Sequence, residues 1–264
     1  MELFTYQMNP SRVVFGSGTI NRAPSELSRL KLSKPFLLST PSRTPHIQDL
    51  SKVLEARSIT PTGVFTEATM HTPVAVTEKA VAEAQAAGSD WLYHLCIPTT
   101  YAGSEVTPIL GETEMGEKTT YSNPSILPGT VIYDVDLTMT LPVGFSAISG
   151  VNAIAHAVEA MYAENSNPII RMLAQEGVRA LAESLPQIIN DPSHQDARQG
   201  RPLRFVAMRH LPGQQSLGVK EGDIPKIVAA AVKKPYYSPR AVEEKLLTEL
   251  VRRAWAGELA RADF

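Results

Sequence analysis

The chain has 264 residues, 43% of them hydrophobic and 20% charged, with a net charge of −2. This is the composition of a globular protein long enough for a cored fold, and two domains are expected. Acidic and basic residues are interspersed, without a Lys/Arg run or an aromatic-interleaved basic stripe, which argues against a nucleic-acid partner.

The opening residues, MELFTYQMNPSR, lack the apolar core of a secretory leader, and nowhere do about eighteen apolar residues run together. A soluble, cytoplasmic protein is the expectation. The single cysteine, Cys96, rules out an internal disulfide and any multi-cysteine metal site. Its place in an apolar run points to a packing thiol rather than a nucleophile.

Residues 12–17 (RVVFGS) and 35–39 (PFLLS) are short apolar runs bounded by turn formers, suited to buried strands that each lead into a helix. From residue 72 the chain reads TPVAVTEKAVAEAQAAGSD. This predicts a helix capped by Thr72, with Pro73 at its first position and Gly88 ending it. Residues 91–95 (WLYHL) form a strand-like run that passes straight into a polar loop, and 130–133 (TVIY) suit another strand. Beyond residue 142 the pattern is helical, over 147–163, 168–189, 224–233 and 241–259. Strands alternating with helices imply a mainly parallel sheet. The expected fold is therefore α/β over residues 1–140, followed by an all-α domain over 141–264.

Four features carry chemistry. Gly16 and Gly18 after a strand form half of a dinucleotide fingerprint whose third glycine position is Asn21, so a simple turn is the plainer reading. The loop 98–107 (PTTYAGSEVT) places Thr99, Thr100, Tyr101 and Ser104 after a strand, where open α/β sheets bind ligands; a connecting loop capped by Ser104 fits equally well. On the helix SGVNAIAHAVEA, Asn152, His156 and Glu159 share a face. Asn at 152 leaves the donor set short for zinc or iron, so no metal is expected. His156 is an acid/base candidate or a satisfied core histidine. In KKPYYSPR, Tyr236, Tyr237 and Arg240 could hold a carboxylate through a forked hydrogen bond, or the tyrosines could pin a loop.

RVVFGSGT, MHTPV, IPTTYAGSEVTPILGETE, KTTYSNP, LPGTVIYDVDLT and SGVNAIAHAVEAMYA, with KKPYYSPR and the final AWAGE, resemble segments of the maleylacetate reductases. That family lies within the iron-containing alcohol dehydrogenase-like superfamily. The resemblance implies a dehydroquinate synthase-like architecture, with a Rossmann-like dinucleotide-binding domain before a helical one. It also implies cofactor-side positions for Thr99, Thr100 and Lys118, and an active-site position for His156. Asn152 is the maleylacetate reductase form of what is Asp in metal-dependent relatives.

The chain departs from that pattern twice. In the family a strand leads into a GGGS turn and a helix whose N-terminus receives the cofactor pyrophosphate, before the chain returns to the strand preceding IPTT. Here residues 91–95 run directly into Cys96, Ile97 and Pro98, which leaves no room for a parallel crossover of about a dozen residues. The close backbone approach and helix-end N–H donors that hold phosphates go with it. In the helical domain, residues 196–210 lead almost at once to LPGQQSLGVKEGDIPK, so the family's histidine-rich segments are absent, and His210 aligns with no family histidine.

The expectation drawn from these departures is a shortened member with a vestigial cofactor site at Thr99, Thr100 and Lys118, no cofactor and no metal. It would carry out isomerisation, cyclisation, dehydration or addition on a small oxygenated or carboxylated metabolite in an interdomain cleft. His156, Tyr101 and Asn152 would be catalytic, Thr99, Thr100, Ser104, Tyr236, Tyr237 and Arg240 would bind substrate, and the chain would form a homodimer. An NAD(P)H-dependent reductase of the maleylacetate type and a non-catalytic binding protein are the alternatives.

Overall fold

In a computed structural model of the chain, the residues described are 12–90, 93–198, 220–233 and 241–256, with Phe4, Ser238 and Glu258. Two units divide the chain, one built on Gln7–Pro142 and the other on Val143–Phe264.

Short apolar runs in the first unit become strands, and the segments between them helices. The order is β1 (Val13–Gly16), α1 (Ala23–Arg29), β2 (Phe36–Leu38), α2 (Thr44–Glu55), β3 (Gly63–Phe65) and α3 (Val74–Ala86). It continues with β4 (Leu95–Cys96), β5 (Ile109–Glu114), β6 (Glu117–Ser122), β7 (Thr130–Asp134) and α4 (Val135–Thr138). β7 lies between β1 and β4 and runs parallel to both. β2 pairs in parallel with β3, and β5 with β6 makes an antiparallel hairpin. The α/β class expected from the sequence is the one that folds. β3 and the hairpin were not anticipated, because a three-residue strand and a polar, threonine-rich ribbon carry little apolar periodicity.

The core of this unit joins Ala23 and Leu27 of α1, Leu37 of β2, Ile47 and Leu54 of α2, and Ile132 of β7. β7 is covered on both faces, with Val131 and Ile132 fully buried. β1 differs from the buried strand expected: Val13 and Phe15 are 50% and 62% exposed, because β1 pairs only with β7 and covers one face.

The start of α3 also differs. Pro73, not Thr72, occupies the capping position, and the Thr72 hydroxyl donates to the Gly111 carbonyl instead. Gly88 ends the helix as expected, in the left-handed conformation (φ 63°), with Gly88 N–H donating to Gln85 O and Ser89 N–H to Ala84 O. Only residues 87–94 then separate α3 from β4, too few for a further strand and helix.

The second unit contains α5 (Val143–Tyr162), α6 (Pro168–Asn190), α7 (Gln195–Arg198), α8 (Ile224–Lys233) and α9 (Glu244–Ala256). Asn167 caps α6, its Oδ1 accepting the N–H groups of Ile169 and Ile170 at 3.1 Å, with Pro168 at the first helical position. α5 and α6 approach closely at Gly150, where a Cβ would fall 2.4 Å from a Leu185 methyl. Among the described residues no helix is long and apolar enough to cross a membrane.

Candidate functional site

Because β1, β7 and β4 are parallel, their C-terminal ends share one edge, the place where open α/β sheets bind ligands. The turn after β1 holds Gly16 and Gly18 at positive φ. Its donors are already committed. Asp134, almost fully buried at the end of β7, accepts Gly18 N–H at 3.1 Å and Ile20 N–H at 2.8 Å. Asp136 accepts Gly18 N–H at 3.0 Å and the Ser17 hydroxyl at 2.7 Å. Two carboxylates against the turn oppose a phosphate and occupy the N–H groups that would receive one. The glycine pair is a turn former, the plainer reading of the sequence.

The loop after β4 is held differently. Tyr133 of β7 donates its hydroxyl to Glu105 Oε1 at 2.7 Å, and Gly103, at φ 74°, turns the chain into a short 3-10 segment, Ser104–Val106. The Tyr133 phenol lies well above its ordinary pKa, first because of burial and then because of this bond to a carboxylate. Burial, reinforced by Glu105, pushes the Cys96 thiol up to about 11. At neutral pH Cys96 is therefore protonated and a poor nucleophile, in accord with a packing role. Thr99 and Tyr101 are half-buried on this loop, and Thr100 and Ser104 exposed. Lys118 stands on the exposed strand β6 of the following hairpin.

In the second unit, Asn152 and His156 lie on an exposed stripe of α5, the His156 side chain being 65% accessible. The satisfied core histidine is therefore excluded. His156 Nδ1 is 3.5 Å from Glu159 Oε2, one turn along the helix. Tyr236, Tyr237, Arg240 and His210 lie outside the described residues. Among the described residues no group of three or more His, Cys, Asp or Glu could hold a metal ion. The sequence reading missed Glu105, Tyr133, Asp134 and Asp136; the available signal was acidic residues directly following the apolar strand in VIYDVD.

The family model for iron-containing alcohol dehydrogenase matches residues 10–93, and that for the C-terminal part of the same family matches residues 146–202. Over 93% of its length the chain is 42% identical to maleylacetate reductase from Rhizobium sp. (strain MTP-10005), spanning 79% of that protein. The chain belongs to the iron-containing alcohol dehydrogenase family. It spans 58–61% of several other maleylacetate reductases that it matches.

Its match to the maleylacetate reductase of Pseudomonas sp. (strain P51), at 29% identity, covers 94% of this chain and 96% of that one. That match runs over 341 positions, more than the 264 residues present, so residues of the relative without a counterpart fall inside the chain. The crystal structure of maleylacetate reductase from Rhizobium sp. strain MTP-10005 superposes with a TM-score of 0.83 at 34% identity, covering 98% of this chain and 99% of that one.

Family membership corrects the expectation of a cofactor-free isomerase, cyclase or lyase, because the relatives are reductases and dehydrogenases. Sulfoacetaldehyde reductase from Bifidobacterium kashiwanohense, which shares the fold at 14% identity and a TM-score of 0.81, was solved in complex with NAD+. That expectation took two internal losses, the cofactor turn and the histidine-rich segments, as the loss of hydride transfer. The residues described nonetheless do not complete the usual dinucleotide site. Hydroxyls follow β4 at the sheet edge, but the β1 turn has its N–H groups on carboxylates and the α3–β4 passage has no crossover. They do not fit iron either, since His156 has only Asn152 and Glu159 beside it on its helix.

Proposed function

We propose that the chain is an NAD(P)H-dependent reductase of the maleylacetate type, acting on a carbon–carbon double bond next to the ketone of a small carboxylated molecule. The observation that carries this reading is 42% identity to such a reductase across 93% of the chain. The bound cofactor would supply the hydride. The α/β part, residues 1–140, binds it through side chains, with the hydroxyls of Thr99, Thr100 and Ser104 and the Lys118 ammonium as donors. The helical part, residues 141–264, serves the substrate. His156, steadied at Nδ1 by Glu159 and beside Asn152, delivers the proton from Nε2, and the Tyr101 phenol donates to the developing enolate oxygen. Tyr236, Tyr237 and Arg240 receive the substrate carboxylates, a role that rests on residue type. The enzyme is read as a cytoplasmic homodimer by analogy with its family.

Titration of the purified protein with NADH, followed by nicotinamide fluorescence, tests the reading. Saturable micromolar binding is expected, with loss of nicotinamide absorbance once maleylacetate is added. Absence of binding up to millimolar NADH and NADPH would overturn it. Replacing His156 by Ala should lower kcat by about 100-fold or more with cofactor affinity unchanged.

A further inference from the structure

The turn after β1 presents carboxylates to its own N–H groups, but the end of β2 is built with the opposite charge. β2 stops at Leu38, about twenty residues past Gly18, the spacing at which a dinucleotide-binding fold reads the adenosine ribose. An acidic residue there receives the ribose 2′-hydroxyl, whereas an arginine receives a 2′-phosphate. Residues 39–46 read STPSRTPH and contain no acid. Arg43 closes a short 3-10 turn, Pro41–Arg43, and His46 follows in the first turn of α2.

Arg43 and His46 converge on one hydroxyl. Thr140, just past α4, accepts from Arg43 Nη1 at 3.0 Å and lies 3.3 Å from His46 Nε2. The same hydroxyl gives its single hydrogen to Leu137 O at 3.2 Å, so the imidazole is the donor at Nε2. These contacts, between residues 94 and 97 positions apart, bring the end of β2 and the segment that follows β7 to one edge. Both side chains are half-buried, and among the described residues no carboxylate forms an ion pair with either; Asp49, the first acid after β2, is bonded to Lys52 at 2.9 Å. Burial, and after it the Arg43 charge, hold the His46 pKa below its ordinary value against the pull of Asp49. Among the described contacts the guanidinium spends one donor on Thr140, and the rest of its planar N–H fork meets no anion.

We propose that Arg43, held with His46 on the Thr140 hydroxyl, makes the end of β2 a site for a phosphomonoester, so that this chain prefers NADPH to NADH. The identification of the phosphomonoester as the cofactor 2′-phosphate rests on the reductase reading; the anion site itself does not. Isothermal titration of the full chain tests both. The probes are 2′,5′-ADP, which carries the 2′-phosphate, 5′-AMP, which lacks it, and inorganic phosphate, with NADPH and NADH titrated in parallel.

In the wild type, 2′,5′-ADP should bind at least tenfold more tightly than 5′-AMP, and NADPH at least tenfold more tightly than NADH, as a charge-assisted fork implies. In Arg43→Ala both ratios should fall towards one. Arg43→Lys, which keeps the charge and loses the fork, should give intermediate ratios. Equal affinities for 2′,5′-ADP and 5′-AMP in the wild type, or a ratio undiminished in Arg43→Ala, overturns the proposal. NADH and NADPH binding equally well overturns it too, and leaves the reductase reading standing. Binding of 2′,5′-ADP and inorganic phosphate that is lost in Arg43→Ala, with neither NADH nor NADPH bound, supports the phosphomonoester site, gives it to a free phosphate compound and removes the reductase reading.

Discussion

At its N-terminal end β7 delivers the Thr130 hydroxyl into a cluster of Glu26, Arg12 and Arg29, whereas at its C-terminal end Asp134, with Asp136 beyond it, takes backbone N–H groups of the turn after β1. The first is an ion cluster closed on itself. Glu26 accepts from Arg12 at 2.8 and 2.9 Å, from Arg29 at 2.9 Å and from Thr130 at 3.1 Å, tying α1 to two strands. The second uses carboxylates to hold main chain. It thereby removes from the ligand-binding edge the amides that a dinucleotide-binding sheet usually offers. Apart from these amides, the edge carries side-chain donors in the loop after β4, the hydroxyls of Thr99, Thr100 and Ser104.

The sharpest way to break this contrast is Asp134→Ala. It orphans the N–H groups of Ile20 and Asp136, both bonded only to this buried carboxylate among the contacts described, and leaves Gly18 to Asp136 alone. Asp134 is buried, but Ile20 is half-buried and Asp136 exposed, so at the lower part of the range of about 1–3 kcal/mol for each orphaned donor a loss of about 2–3 kcal/mol in urea unfolding is expected. A loss below about 1 kcal/mol would mean that water satisfies the turn as well as the carboxylate does.

Glu26→Gln should cost less, about 2 kcal/mol near neutral pH, because Arg12 and Arg29 remain 53% and 41% exposed and solvent can receive them. Its distinguishing mark is pH dependence. The Arg12 guanidinium, helped by Arg29 and Thr130 against burial, lowers the Glu26 carboxyl to about 2. With an unfolded value of about 4.3, the unfolded chain binds the proton first as pH falls. This contribution is complete above about pH 5 and is lost as pH falls towards 2. The gap in stability between wild type and Glu26→Gln should therefore close across that window. A constant gap would show that the cluster acts through packing rather than charge.

Legibility in the sequence followed the range of the interactions that decide each feature. β7 could be read from TVIY because a continuous apolar run describes a strand covered on both faces, and the end of α3 from Gly88 because a left-handed cap is a local requirement. Thr72 was misread as a cap because a contact with Gly111, 39 residues away, takes its hydroxyl. The role of Asp134 and Asp136 rests on partners 114 to 119 residues distant, beyond any local pattern. His156 was ambiguous for a different reason. The alanine-rich α5 has so little contrast between its faces that periodicity cannot say which one is covered.

Tyr133→Phe probes the remaining hold on the edge, and its effect should be the smallest. Neighbouring strand residues point to opposite faces, so Tyr133 can lose its bond to Glu105 without disturbing Asp134. Glu105 is only half-buried and can turn to water, which limits the loss to about 1 kcal/mol. The change should be local, with faster amide hydrogen exchange in Ser104–Val106 and faster alkylation of Cys96, whose protonated state depends chiefly on the burial that the loop helps maintain. If exchange and alkylation both stay at wild-type rates, the loop is held by its own turn bonds, Val106 N–H to Gly103 O at 3.2 Å and Thr107 N–H to Ser104 O at 3.1 Å. Its hydroxyls would then be positioned independently of β7, and only the β1 turn would depend on the end of that strand.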